Sequence, residues 1–197
     1  MNVWAATLSV AADMVRNNSR VKTKKIVLCA ILSALSFAAL YLGTLTGVFD
    51  LCAVVIGAVI VAYTCIELKG FYPWSVCVVT FTLSLVLLPD KLVAFEYLFL
   101  GGAYPIIKAA AEKGRRSVEW IIKLVYFNVS LAAFLILEKF VFVSSDAVFS
   151  GDLSKLVIVG VICFLNAFFA FYDYALTRFI TYYFIKLRKK LKFNLAN

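Results

Sequence analysis

Apolar residues run in six long stretches along the 197-residue chain, and charges collect in the short segments between them. A helix needs about 20 predominantly apolar residues to cross a bilayer. The first stretch, Ile26 to Thr46, follows Lys22, Lys24 and Lys25 and meets no charge until Asp50. The second runs from Asp50 to Leu68 after a turn marked by Gly43 and Gly47, and Glu67 and Lys69 close it. Pro73 stands near the start of the third, where a missing amide donor costs little, and Phe71, Tyr72 and Trp74 form an aromatic girdle there. Pro89 ends it. The fourth, Lys91 to Ile107, holds Glu96, Gly101, Gly102 and Pro105 and is predicted to be the least regular helix. The fifth covers about Val118 to Leu137. The sixth starts near Leu156 and continues past Tyr172, because Ile180, Phe184, Leu187 and Leu191 keep helical spacing. The predicted fold class is all-α: one integral membrane domain over residues 1–197, a bundle of six transmembrane helices.

Charge orients that bundle. Of the 20 basic residues, only Lys91, Lys139 and Lys155 fall on the odd-numbered connections. By the positive-inside rule both termini lie in the cytoplasm, and a multi-pass location in the cell membrane is expected. Residues 1–25 form a cytoplasmic amino tail. Its apolar segment, Val3 to Ala11, is too short to span, and Trp4, Leu8, Ala11 and Val15 at helical spacing predict an interfacial helix. Residues 186–197 form a basic cytoplasmic tail. Asp50, Asp90 and Asp152 are placed to cap helices. The longest outer connection, Glu138 to Lys155, mixes apolar and polar residues and is expected to fold over the outer mouth.

Composition agrees with this class, since 64% apolar residues would leave a soluble fold coated in hydrocarbon. Mean hydropathy is +0.96. The net charge of +9 sits just beside hydrophobic spans, so membrane lipids with anionic headgroups, not nucleic acid, are the expected partners. The absence of histidine removes the usual general base and the commonest metal ligand. The five cysteines, Cys29, Cys52, Cys65, Cys77 and Cys163, show no CxxC spacing, and there is no glycine-rich phosphate loop. A non-enzymatic protein without metal or cofactor is expected.

Glu96 is the leading candidate functional residue, because an acid inside a span needs a partner or a water-filled cavity. One reading makes it a ligand-contacting carboxylate aided by the hydroxyls of Tyr97 and Tyr104. The other pairs it with Lys91, about 8 Å away along the helix, or with Lys139 across the bundle. Asn128 and Asn166 lie inside the fifth and sixth spans, where a side-chain amide wants an interhelical partner; bundle cohesion is the first reading and ligand contact by Asn166 the second. Lys108 belongs with Lys113, Arg115 and Arg116 to a basic cytoplasmic turn. Glu119 and Lys123, one helical turn apart, are expected to hold their charges at the interface. Asp173 and Arg178, at the cytoplasmic end of the sixth span, suit a helix-end pair or contact with a cytoplasmic partner, and interface electrostatics is the preferred reading for both.

On the first span Ala30, Ala34 and Ala38 recur every four residues, giving one narrow face for close helix approach. This face resembles that of the membrane-embedded substrate-binding subunits of energy-coupling factor transporters, in which an alanine pair four apart on the first helix meets a transmembrane coupling subunit that works with ATPases. Size, span number and cytoplasmic termini are also similar. The resemblance implies capture of a small molecule, a vitamin or other micronutrient, from outside, with Ala30, Ala34 and Ala38 as the partner-binding face. The missing histidine disfavours a nickel or cobalt site. Substrate-binding residues expected from the sequence are Glu96, Tyr97, Tyr104 and Asn166. The alternative is a structural or regulatory membrane protein that acts through helix packing.

Overall fold

The computed structural model describes residues 3–68, 70–112, 114, 116–141 and 155–187. Every regular element among them is helical. The helices are Val3–Thr46, Asp50–Glu67, Tyr72–Leu87, Lys91–Ala111, Arg116–Val141 and Lys155–Tyr182, referred to below as the first to the sixth. Five contain segments long and apolar enough to cross a membrane: Val21–Thr46, Asp50–Glu67, Lys91–Ala111, Val118–Leu137 and Gly160–Tyr182. The third has 16 residues, about 24 Å of helix against a hydrocarbon core of about 30 Å, and is the short member of the set. The protein is thus a membrane-embedded, multi-pass helical bundle.

The first helix is continuous over 44 residues. No break separates Val3–Ala11 from the span, so no turn re-aims the amino segment along a membrane surface. Gly47, at φ 63°, reverses the chain into the second helix. Asp50 does not cap that helix as expected: Phe49 holds the cap position without a side-chain bond, and Asp50 lies within the first turn. Asp90 does cap the fourth helix, accepting from the Leu92 amide at 2.9 Å. Asp152 and the connection expected to cover the outer mouth lie outside the described residues.

Without water between helices, packing and internal hydrogen bonds hold the bundle. The second helix is the hub, with Ala53, Gly57, Ala58, Val61 and Ala62 buried. Its small residues admit the ring of Tyr97 from the fourth helix, which is fully buried. A β-carbon at Gly57 would stand 2.7 Å from Tyr97 Cε2, and one at Gly101 would stand 2.6 Å from Tyr97 Cδ2. Leu40, Val54, Val61 and Val76 complete this core. A second core gathers Ala58, Tyr104, Phe127, Phe169, Tyr172 and Leu176 around the fourth, fifth and sixth helices.

The fourth helix is irregular where the sequence predicts it. It is α-helical over Lys91–Glu96, π-helical over Tyr97–Ala103 and α-helical again over Tyr104–Ala111. Pro105 has no amide to give, and in a π turn the carbonyl it leaves open is that of Leu100. Tyr172 of the sixth helix donates its hydroxyl to that carbonyl at 2.9 Å. Tyr126 of the fifth donates its hydroxyl to the adjacent Phe99 carbonyl at 2.7 Å. Carbonyls of the irregular segment, that of Leu100 left open by Pro105, therefore become tethers for the last two helices.

Gly57→Val is expected to lower stability by about 1–3 kcal/mol through overpacking against Tyr97. Gly160→Ala, where the added carbon meets no atom within 4 Å, is expected to leave the melting temperature unchanged or slightly raised. Thermal unfolding in mild detergent compares the two.

Candidate functional site

Glu96 is the last residue before the π turn, and Phe99 and Leu100 follow it on the same side of the fourth helix. These three side chains form one wall of a cavity of about 380 Å³. Phe127, Ser130, Leu131 and Phe134 form the second wall at helical spacing along the fifth helix. Phe164, Leu165 and Phe168 of the sixth close the third side, and Leu51 of the second contributes at the edge. The lining is apolar and aromatic apart from Glu96 and Ser130.

The Glu96 carboxylate has no hydrogen-bond or ion-pair partner among the described residues. Lys91, one of the two expected partners, points elsewhere: its ammonium donates to the carbonyl oxygens of Leu88 at 2.6 Å and Val86 at 3.3 Å, closing the end of the third helix. Lys139 lies outside the residues whose side chains are described. The charges that bear on Glu96 are those of Asp50 and Asp90, both negative. One Asp50 carboxylate oxygen is itself buried without a partner.

The other residues expected to bind substrate do not line this cavity. Tyr97 is buried against Gly57 and Gly101, with its hydroxyl close to Ser36 and Thr80. Tyr104 lies just past the π segment, and its hydroxyl donates to Asp173. Asn166 and Asn128 bond to each other, with Asn128 Nδ2 to Asn166 Oδ1 at 3.0 Å and the reciprocal contact at 3.4 Å. Each amide also donates to the carbonyl four residues back, Leu124 at 2.8 Å and Ile162 at 2.9 Å. That pairing is the bundle cohesion of the first reading.

A second polar constellation lies at the other end of the same three helices. Lys108 is 1% exposed, Lys123 2% and Asp173 5%. Both lysines bind the one carboxylate: Lys108 to Oδ1, and Lys123 to Oδ2 at 3.1 Å. Lys108 also reaches Thr177 Oγ1 at 2.7 Å and Glu112 at 3.0 Å, while Lys123 holds Glu119. The cluster thus sets two ammonium groups among three carboxylates and a tyrosine hydroxyl.

This arrangement corrects three expectations. Lys108 is not part of an exposed basic turn, because its ammonium is buried between helices. Lys123 does pair with Glu119, but its head is also drawn inward to Asp173. Arg178 does not pair with Asp173; its Nε donates to the Tyr174 hydroxyl at 2.8 Å, and its guanidinium lies 5.1 Å from that ring. The overlooked signal is periodic: Tyr104 and Lys108, Glu119 and Lys123, and Asp173 and Thr177 each stand four apart, so three helices carry a polar stripe at one end.

Ala30, Ala34 and Ala38 all lie exposed on the outer surface of the first helix, beside Val27, Ile31 and Leu35. Their face is not used for packing inside the bundle. Comparison with known proteins adds no relative: no family model matches the chain, and neither the curated proteins nor the solved structures give a match. No group of three or more metal-ligating side chains occurs among the described residues.

Removing Asp173 leaves two buried ammonium groups without their shared counterion. Asp173→Ala is expected to cost about 3–5 kcal/mol, the range for breaking a buried pair. Asn128→Ala is expected to cost about 1 kcal/mol, in the range of interhelical hydrogen bonds in membranes. Denaturant titration of the two variants in mild detergent tests the ranking.

Proposed function

We propose that this chain is the membrane-embedded capture subunit of a transporter that takes up a small molecule, a vitamin or other micronutrient. The supporting observation is the aromatic cavity at Glu96, whose volume of about 380 Å³ lies within the range of small-molecule sites. An acid inside a span with no partner among the described residues supports a ligand at that cavity. In the charge-based orientation, with both termini in the cytoplasm of a cell membrane, the Glu96 end faces outward. The Asp173 cluster then lies roughly 18 Å away toward the cytoplasm, given the twelve residues from Glu96 to Lys108. The outward alanine face of the first helix suits a transmembrane coupling partner, which would supply the ATPases that this chain lacks.

The same face favours a second reading, a structural or regulatory protein that assembles through Ala30, Ala34 and Ala38. Both readings predict that Ala30→Leu with Ala34→Leu separates the chain from its partner without loss of melting temperature, because these positions are exposed and added bulk blocks close approach. Copurification with a thermal assay measures this. A fall in stability with partner binding retained would refute the docking face.

Capture and assembly are distinguished by extraction in mild detergent followed by mass spectrometry. The capture reading expects a bound non-lipid small molecule that Ser130→Phe, which fills the cavity, displaces. Lipid alone in both samples would refute it. For topology, single cysteines at positions 114 and 145, in a background lacking the five native thiols, are expected to label from the cytoplasm and the exterior respectively. Reversed labelling would overturn the orientation.

A further inference from the structure

Resting on the capture reading, we infer that the cavity selects an organic cation with an apolar body, the positive group at Glu96 and the body among the phenylalanines. Five of the lining residues, Phe99, Phe127, Phe134, Phe164 and Phe168, are aromatic. Phenylalanine faces carry negative electrostatic potential and attract an ammonium group that has left water. The same rings offer an anion or a neutral polar group nothing of comparable strength. Ser130 supplies the one hydroxyl in the lining.

Among the described residues, the charges that line the cavity or bear on Glu96 are acidic. Glu96 lines the cavity, while Asp50 and Asp90 lie close enough to act on it. Lys91, the described base on the same stretch of helix, is engaged by the carbonyls of Leu88 and Val86. The bases of the Asp173 cluster, Lys108 and Lys123, are held by their own carboxylates toward the other end of the bundle. A bound cation therefore supplies a counter-charge that no described residue gives Glu96. In a site screened from water such a pair also imposes selectivity, since an anion would meet uncompensated like charge.

The experiment uses the full chain in phosphatidylcholine nanodiscs, titrated with phenylbutylammonium, the neutral phenylbutanol and the anionic phenylbutanoate. Empty nanodiscs correct for partitioning into lipid. The ammonium is expected to bind at least about tenfold more tightly than the alcohol, a difference of about 1.4 kcal/mol, with the carboxylate weakest. Glu96→Gln is expected to abolish the difference between ammonium and alcohol while leaving alcohol binding in place. Glu96→Asp, which keeps the charge, is expected to retain the preference and guards against a fold defect in the first variant. Equal binding of ammonium and alcohol, unchanged by Glu96→Gln, would overturn the cation assignment and leave the capture reading standing. Binding led by the carboxylate would overturn it in the same way. Failure of every probe, with phospholipid alone recovered on extraction, would overturn both.

Discussion

Asp173 is the point on which one end of the bundle depends. Its carboxylate binds Lys108 of the fourth helix and Lys123 of the fifth while its backbone belongs to the sixth, so one side chain fixes three helices. The constraint behind this is solvation. In hydrocarbon an isolated charge is expensive, and each ammonium stays there only while opposite charge and hydrogen-bond acceptors surround it. Glu112, Glu119, Thr177 and Tyr104 complete that shell. Directional bonds of this kind set the register of the three helices, which apolar side chains sliding over one another in lipid would not.

The fourth helix converts the same constraint into shape. Pro105 and the Gly101–Gly102 pair lie in or beside its π turn, and the carbonyls of Phe99 and Leu100 take hydroxyls from Tyr126 and Tyr172. Those tethers hold the fifth and sixth helices near the middle of the fourth. Below them the Asp173 cluster draws the helices together; the fifth and sixth touch each other little, and the cavity lies between them and the fourth. The Asn128–Asn166 pair bridges these two helices within the upper half without entering the cavity.

The two polar centres therefore differ in kind. At Asp173 every charge has a partner, which suits a centre that holds structure. At Glu96 the carboxylate faces aromatic carbon with acids behind it, which suits a centre completed by a ligand. The proposed function follows from that contrast. A single helix carries both centres, one on each side of the π turn.

How much was legible in the chain varies with the range of the interaction. The apolar stretches, the irregular fourth helix, the cap at Asp90 and the cost of placing Glu96 inside a span were readable from sequence, because hydrophobic length, proline geometry and the cost of a lone acid are local properties. The partners were not. Lys108, Lys123 and Asp173 are separated by as many as 65 positions, and each has a local explanation as an interface charge until the helices are docked. Tyr97 and Tyr104 both follow Glu96 on the same helix, yet helical rotation sends one into the Gly57 groove and the other to Asp173. Asn166 likewise found Asn128 once the fifth and sixth helices met. Sequence by itself determined which segments leave water and which residues are costly there; tertiary structure decided which of those costs are met inside the protein, because only docking brings distant side chains within hydrogen-bond reach.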